Sequence, residues 1–290
     1  MPMKNQGDVM SDAGLNGTGQ RLTPICIVQA GMAWITLNRP EKANAVSSGL
    51  LDEVLAAIEA AESAPDVKAI IFSGAGRNFC AGADLGELLE GGRTAVRTLL
   101  DRFREVCRRF ETSRLPVVGM AHGAVRAGGL ELLLCCDAVI ASKDATIGDA
   151  HALRELLPGG GSSVRLPRTI GVQRAKWMIL SGQSITATQA VDWGILHSVV
   201  PAEDLTHSAL ALAQEMSVAH SDTLARAKSL LVASYTLGKA DALENEIRTL
   251  ELHAGTPVMQ TGLAQFVGRT QSSPPRNAPH AKIRNVPDAI

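Results

Sequence analysis

Residues 117–137 combine backbone donors with a single carboxylate in a pattern that could do chemistry. The stretch opens with a short apolar run typical of a buried strand. It continues through a turn rich in small residues and ends in an apolar helix predicted over residues 130–136. Gly128 and Gly129 stand where that helix begins, so their amide N–H groups have no acceptor within it. Such donors, with the helix dipole behind them, favour an anionic oxygen.

Glu131 is the one charged residue in this predicted helix. Burying a carboxylate in such an apolar run is costly unless something pairs with it. One helical turn from the Gly128 donor, the carboxylate could position a water molecule and move a proton. The same pattern is compatible with a glutamate that points to solvent or pairs with an arginine, and with glycines that serve only tight packing.

Strand and helix patterns alternate from about residue 25 to residue 200, and a helical pattern follows. Apolar runs on either side of Ala30-Gly31 predict a hairpin. Ser47 predicts the cap of a helix with an i, i+3/i+4 apolar stripe, and Asp84 predicts the start of a short helix that ends at Gly91-Gly92. The predicted fold class is α/β, with a largely parallel strand core and a helical C-terminal subdomain.

The 290 residues suffice for one large core with a helical appendage. The leader at residues 1–21 is polar and aperiodic, which predicts disorder. The core is predicted at residues 22–201 and the helical subdomain at residues 202–269. Residues 270–290 form a Pro-rich tail, also predicted to be disordered or loosely draped.

Composition and charge exclude several classes of partner. The sequence has 28 Lys and Arg against 29 Asp and Glu, so it carries no basic field for nucleic acid or an anionic membrane. No apolar run reaches the length of a membrane span, and no signal peptide is evident. The five cysteines are odd in number and lack metal-type or disulfide spacing, which predicts reduced thiols in a cytoplasmic protein.

The Gly-rich loop at residues 73–83 does not have the spacing of a dinucleotide fingerprint. Gly74 and Gly76 fit the pattern G-x-G-x-x-G, but Phe79 holds the place of the third glycine. No G-x-x-x-x-G-K-[ST] motif occurs elsewhere. The sequence therefore predicts no nicotinamide or ATP site, and no metal is expected.

Several motifs, in family order, resemble the crotonase superfamily, the enoyl-CoA hydratases and isomerases. They are Ile35-Thr36-Leu37-Asn38-Arg39-Pro40 with Asn44-Ala45, then Phe79-Cys80-Ala81-Gly82-Ala83-Asp84-Leu85, residues 123–137, and Pro158-Gly159. The resemblance implies a spiral of ββα turns and a homotrimer or dimer of trimers that assembles through the C-terminal helices. It also implies an acyl-CoA thioester as substrate, with coenzyme A as part of the substrate and no separate cofactor.

The resemblance also implies the site. It places an oxyanion hole at the backbone N–H groups of Ala83 and Gly128, and the first catalytic glutamate at Glu131. Two such donors stabilise the enolate-like state of a thioester by about 3 kcal/mol each, while the carboxylate acts as general base toward water. Family contacts with CoA fall on Lys42, Ala43, Ala45, Ala81, Ala83, Asp84, Leu85, Gly86 and Gly128.

The sequence departs from the family pattern at the second catalytic residue. Hydratases usually carry a glutamate there, and counting from Glu131 places His151 at that position. An imidazole, with an ordinary pKa of about 6.5, exchanges protons near neutrality; the alternative is a histidine that merely fills space. Asp149 and Glu155 are near enough in sequence to orient it. Arg126, where the family usually has an apolar residue, either touches the acyl end of the substrate or points outward.

Three functions remain as hypotheses. The first is an enoyl-CoA hydratase with Glu131 as base and His151 assisting. The second is another crotonase reaction on an acyl-CoA, double-bond isomerisation or hydrolysis of a C–C bond, for which a histidine is better suited. The third is an inactive acyl-CoA-binding homologue, against which the retained Glu131 and both oxyanion positions argue.

Overall fold

The computed structural model of the protein describes residues 26–272. Its strands are β1 (Cys26–Gln29), β2 (Met32–Leu37), β3 (Ala69–Gly74), β4 (Val117–Ala121), β5 (Ala124–Arg126), β6 (Ala138–Ser142), β7 (Thr146–Gly148), β8 (Ser184–Thr186) and β9 (Ser198–Val200). Its helices are α1 (Ser48–Ser63), α2 (Leu85–Thr112), α3 (Gly128–Leu133), α4 (Ser162–Ile170), α5 (Val172–Ser181), α6 (Ala187–Asp192), α7 (Leu205–Met216), α8 (Ser221–Ser234), α9 (Lys239–Ala254) and α10 (Pro257–Ser272).

Two sheets form the strand framework. The larger has the order β1-β2-β3-β4-β6-β9, and every pair in it is parallel except the antiparallel β1–β2 hairpin. The smaller has the order β5-β7-β8, with β5 and β7 parallel and β7 and β8 antiparallel. The predicted α/β class with a largely parallel core is therefore confirmed.

The larger sheet is covered on both faces, as parallel sheets usually are. Ile70 and Phe72 of β3 face the main core, where Phe72 packs edge-on against Phe79 and Phe110. The alternate residue Ile71 faces the other side, where α7 packs. Each large side chain buried in this way stabilises the fold by about 1.5 to 3 kcal/mol relative to exposure. The strand that ends at the Gly-rich loop is thus fixed on both faces.

Local chemistry sets several boundaries as predicted. The β1–β2 turn uses Ala30 and Gly31, both in the left-handed region at φ 53° and 75°. The Ser47 hydroxyl accepts a hydrogen bond from the Leu50 amide at 3.2 Å and caps α1. Asp84 caps α2, and the predicted end of the short helix at Gly91-Gly92 is a kink, because Gly92 has non-helical φ and ψ of 54° and −144°.

Three elements near the site differ from the prediction. Helix α3 begins at Gly128 rather than at residue 130, because Gly128 and Gly129 both adopt helical backbone. It ends at Leu133. The turn before it contains the strand β5, and residues 184–186 form the strand β8, neither of which was predicted. Each has three residues, too few to show an alternating pattern.

The chain divides into two compact units between Thr236 and Leu237. This division lies C-terminal to the domain boundary predicted between residues 201 and 202. Helix α7 belongs to the first unit, since Leu205, Ala209 and Ala213 pack against the sheet. Helices α9 and α10 form the second unit. The predicted leader at 1–21 lies outside the described residues, as does the predicted tail at 270–290 apart from the end of α10. Within residues 26–272, no helix is both long and apolar enough to cross a bilayer.

Candidate active site

The two segments predicted to form an oxyanion hole lie side by side. The Cys80 amide donates to the Ala124 carbonyl at 3.2 Å, and the Arg126 amide donates to the Cys80 carbonyl at 2.9 Å. This parallel pairing carries residues 80–83 alongside β5 into the start of α3. An ideal Cβ built on Gly82 would lie 3.8 Å from the Gly128 nitrogen. The structure therefore brings the Ala83 and Gly128 backbones together.

Both predicted oxyanion donors have free amides. The other edge of residues 82–84 pairs with Val46. The Val46 amide donates to the Gly82 carbonyl at 2.7 Å, and the Asp84 amide donates to the Val46 carbonyl at 2.8 Å. Because peptide groups alternate along an extended segment, the Ala83 N–H points away from Val46. In the described part of the chain, neither this amide nor that of Gly128 has a hydrogen-bond acceptor. Both amides are thus without an acceptor in the described structure, as the predicted oxyanion hole requires.

The backbone before Gly128 is strained. Ala127, the residue before α3, has φ 45° and ψ −115°, a conformation that costs a residue with a Cβ roughly 1 to 3 kcal/mol. Its amide donates to the Gly148 carbonyl at 3.2 Å, and its carbonyl accepts from the Glu131 amide at 3.0 Å. The turn is therefore held from both sides, and it sets the direction of the Gly128 N–H.

Glu131 is buried, with 2% of its surface exposed, on the first turn of α3. Its Oε1 accepts hydrogen bonds from the backbone amides of Gly160 and Ser162, both at 2.9 Å. These donors, which the sequence prediction missed, satisfy one oxygen of a carboxylate that would otherwise be expensive to bury. The Pro158-Gly159-Gly160-Gly161 run was the signal available for them.

Gly160 has no room for a side chain. An ideal Cβ there would lie 2.6 Å from Glu131 Oε2 and would overlap the ring of Phe103. The same ring closes the site beside Gly128, where a Cβ would lie 3.3 Å from Phe103 Cε2. Phe103, on α2 and 4% exposed, therefore packs against both Gly128 and Gly160 and gives the site an apolar side.

His151 faces the second oxygen of Glu131, with Nε2 3.9 Å from Oε2. Its Nδ1 lies 3.0 Å from Oδ1 of the fully buried Asp149. Of the two residues expected to orient this ring, the structure selects Asp149. Glu155 instead ends the following 3-10 turn at φ 53° and is exposed. The His151 ring thus lies between two carboxylates, with Asp149 at Nδ1 and Glu131 at Nε2.

Two opposing effects act on the imidazole. Burial lowers the pKa of His151, but the hydrogen bond that its ring makes to the Asp149 carboxylate, the charge of Asp149 and the charge of Glu131 outweigh burial and raise the pKa above its ordinary 6.5. Protonated His151 is therefore favoured beside two carboxylates.

The residues expected to contact CoA lie on two adjacent segments. The Ala81 amide donates to the Ala43 carbonyl at 3.0 Å. Asp84 binds Arg39 at 2.8 Å and Lys42 at 3.2 Å, and chiefly the hydrogen bond from Arg39 lowers the pKa of Asp84 to about 2. The remaining expected contacts, Ala45, Leu85 and Gly86, adjoin these positions, and Leu85 and Gly86 are exposed.

The Asn44 side chain forms hydrogen bonds to both of these segments. Its side chain is fully buried, and Nδ2 donates to the carbonyls of Ala75 and Asn78 at 2.8 Å and of Phe79 at 3.1 Å. Its Oδ1 accepts from the Arg39 amide at 2.9 Å. One amide side chain therefore ties the loop before α1 to the Gly-rich loop.

The Arg126 side chain is held by protein contacts that the sequence does not predict. It folds back onto β7, where Nη1 donates to the Thr146 carbonyl at 2.5 Å and Nη2 lies 2.9 Å from the Thr146 hydroxyl. Burial lowers the pKa of this guanidinium. Arg126 therefore joins β5 to β7, the strand that leads to Asp149.

A cavity of about 720 Å³ lies behind the turn at residues 159–161. Leu100 and Cys107 of α2 line it, together with Leu231 of α8. Neither the Ala83 and Gly128 amides nor His151 lies on its wall. It adjoins the site built around Glu131 at Gly160, which lines the cavity and whose amide binds Glu131.

The chain is similar to known proteins over most of its length. Residues 28–273 match the model of the family "Enoyl-CoA hydratase/isomerase". The chain is 33% identical over 233 residues to the 2,3-dehydroadipyl-CoA hydratase of Escherichia coli (strain K12), covering 80% of this chain and 91% of that protein. It is 32% identical over 235 residues to a probable mitochondrial enoyl-CoA hydratase of Dictyostelium discoideum, covering 80% of this chain and 83% of that protein.

A solved structure gives the same result for the fold. The crystal structure of an enoyl-CoA hydratase from Bacillus anthracis matches with a TM-score of 0.80 at 30% sequence identity. The match covers 85% of this chain and 97% of that one.

Proposed function

The chain belongs to the enoyl-CoA hydratase/isomerase family, and on that premise we propose that it hydrates an α,β-unsaturated acyl-CoA. The crotonase fold expected from the sequence motifs is confirmed by the match to solved hydratases. The observation that carries the proposal is the pair of groups at 3.9 Å, Glu131 Oε2 and His151 Nε2, beside the free amides of Ala83 and Gly128. Relatives at about one-third identity bear the name hydratase, which supports the same reaction.

In the proposed reaction, the Ala83 and Gly128 amides bind the thioester oxygen. Glu131 Oε2 takes a proton from water as the water oxygen bonds to the β-carbon. The electrons of the double bond move onto the thioester oxygen, where the two amides stabilise the enolate. His151, protonated at Nε2, gives its proton to the α-carbon, and the thioester carbonyl re-forms.

The site can then reset itself. After one turnover Glu131 is protonated and His151 is neutral, so one proton must pass between them. Oε2 and Nε2 are 3.9 Å apart, a gap that a single bridging water spans. The net change is the addition of one water to the double bond, and the same steps in reverse remove it.

The proposed CoA site is the surface formed by Lys42, Ala43, Ala45, Ala81 and residues 83–86. Backbone hydrogen bonds join these segments, since the Ala81 amide donates to Ala43 and the Asp84 amide donates to Val46. These bonds support the proposed CoA site. A rigid surface loses little conformational freedom when a ligand binds. We propose that coenzyme A enters only as part of the substrate and that the reaction needs no further cofactor.

A direct assay tests the proposal. The protein is incubated with crotonyl-CoA, and loss of the enoyl absorbance is followed with product identification by mass spectrometry. A hydratase gives the 3-hydroxyacyl-CoA. A shifted double bond without added water would support the isomerase alternative, and turnover of a β-dicarbonyl acyl-CoA in place of crotonyl-CoA would support the C–C hydrolase. Binding without any turnover would support the inactive homologue.

We also propose that the protein assembles as a homotrimer or a dimer of trimers. Helix α9 supports this, because Leu243, Ile247 and Leu250 recur at i, i+4 and i+7 and are all exposed in the single chain. Light scattering at micromolar concentration is expected to give three or six times the chain mass, and a monomer mass would contradict the proposal. The cytoplasmic location stays a prediction.

A further inference from the structure

Asp149 is a buried carboxylate that the proposed chemistry does not use directly. It has no exposed surface, and its Oδ2 has no hydrogen-bond partner in the described part of the chain. Its Oδ1 lies 3.0 Å from His151 Nδ1 and accepts from the His151 amide at 3.3 Å. Among residues 26–272 its one ion-pair partner is His151. A buried carboxylate of this kind is stable when its partner carries the opposite charge.

The backbone is bent to make this contact. Ala150, between the two residues, lies in the left-handed region at φ 58°, where residues with a Cβ are rarely found. The His151 carbonyl accepts from the amides of Arg154 at 2.9 Å and Leu156 at 3.1 Å, which fixes the turn on its other side. Strain of this kind persists where the surroundings hold it, and it clusters at functional sites.

The ring is thereby oriented at both nitrogens. With Nδ1 directed at Asp149, Nε2 is left to face Glu131 Oε2 at 3.9 Å. The charged groups that face the imidazole are Asp149 on its own segment and Glu131 on α3. Within residues 26–272, no Lys or Arg forms an ion pair with either carboxylate.

We infer that Asp149 is a positioning residue that keeps His151 protonated and aims its Nε2–H at the acyl carbons. The inference rests on the proposed role of His151 as the proton donor to the α-carbon. It goes beyond that role, because it assigns the charge state of the donor to a residue that does not touch the substrate. The raised pKa of His151, to which Asp149 contributes by hydrogen bond and by charge, supports it.

The first test measures the imidazole and not the reaction. The His151 ring is titrated by NMR in the full-length protein, with its signal assigned through His151→Gln. In the wild type we expect a midpoint above 6.5, the ordinary value. Asp149→Asn keeps an acceptor for Nδ1–H but removes the charge, and is expected to lower the midpoint by about one pH unit or more.

Asp144→Asn is the matched control, because Asp144 is exposed in the turn before the same strand β7. It is expected to leave the His151 midpoint in place. Equal midpoints in Asp149→Asn and the wild type would overturn the inference. Should Asp149→Asn fail to fold, the wild-type titration still tests the inference, since a midpoint below 6.5 would overturn it.

The second test asks whether Asp149 acts through His151. Asp149→Asn is expected to move the alkaline limb of the kcat–pH profile to lower pH while KM stays within about twofold. When His151 is already replaced by glutamine, adding Asp149→Asn should change kcat by no more than about twofold, because the effects of residues that act as a unit are not additive. An equal loss in both backgrounds would make Asp149 merely structural. If the ring titrates as expected but crotonyl-CoA is not hydrated, the proposed function fails, and only the effect of Asp149 on the charge of His151 stands.

Discussion

Glu131 presents one oxygen to the backbone and the other to His151. Oε1 accepts from the Gly160 and Ser162 amides at 2.9 Å, while Oε2 lies 3.9 Å from His151 Nε2. The carboxylate cannot rotate without giving up two hydrogen bonds. The oxygen that is free to take a proton is therefore always the one nearest the imidazole.

Replacing Glu131 by glutamine tests the general base. Glu131→Gln keeps the shape and one acceptor for the Gly160 and Ser162 amides but cannot take a proton from water. We expect kcat to fall about a hundredfold or more, as loss of a general base typically does, with acyl-CoA affinity nearly unchanged. Steady-state kinetics and calorimetry measure the two quantities. Glu155→Gln, at an exposed position in the next turn, is the control, and full activity in Glu131→Gln would contradict the assignment.

The pH dependence of turnover tests His151. As a proton donor it works in the protonated form, so activity is present below its raised pKa and is lost as the pH rises through it. His151→Glu puts an acid of lower ordinary pKa, about 4.3, in the same place, and the alkaline limb should move to lower pH. His151→Ala should lower kcat less than Glu131→Gln and remove the limb. A profile that His151→Ala leaves unaltered would return this residue to a space-filling role.

A methyl group at Gly160 should disturb the base without touching the substrate's CoA portion. An alanine Cβ would lie 2.6 Å from Glu131 Oε2 and overlap Phe103. We expect Gly160→Ala to lower kcat by about tenfold or more, since small misplacements of reacting groups are costly. Gly159→Ala is the matched control, because its Cβ meets only the end of the flexible Leu100 side chain. Similar kcat values for the two variants would show that the Gly160 position is not critical.

Asp84 should contribute stability that is lost in acid. Its folded pKa of about 2 is below the ordinary 3.8, so the contribution is present above the unfolded value and disappears as the pH falls through about 2. Asp84→Asn keeps the cap of α2 but loses the charge. We expect it to be less stable than the wild type by about 1 kcal/mol at neutral pH, with a difference that shrinks toward pH 2.

Urea unfolding at several pH values measures this contribution. Asp101→Asn is the control, because its ion pairs with Arg97 and Arg104 are exposed and should contribute little at any pH. A difference between Asp84→Asn and the wild type that stays constant from neutral pH to pH 3 would show that the charge of Asp84 does not stabilise the fold.

Features determined by neighbours in sequence could be predicted. The β1–β2 turn follows from Ala30-Gly31 between two apolar runs, and the start of α1 follows from Ser47, whose hydroxyl reaches an amide three residues away. Residues Glu131 and His151 could be paired through family spacing, and the structure places them in contact.

Features determined by contacts between distant segments could not. The Gly160 amide that holds Glu131 is 29 residues further along the chain, and nothing in its local pattern marks its partner. The local sequence around Arg126 gives no sign that its guanidinium bonds to Thr146, 20 residues away. Residues 124–126 are too few to show strand periodicity, so β5 becomes evident only when β7 lies beside it.

The position of Asn44 has a consequence for the chemical ageing of the protein. Deamidation would turn this side chain into a carboxylate facing the carbonyl oxygens of Ala75, Asn78 and Phe79, which its Nδ2 now binds. Three attractive contacts would become repulsive ones in a fully buried place. Loss of a single amide nitrogen would therefore weaken the link between the loop at residues 42–45 and the Gly-rich loop, and leave the surface proposed for CoA dependent on the remaining bonds, among them the backbone bonds of Ala43 and Val46.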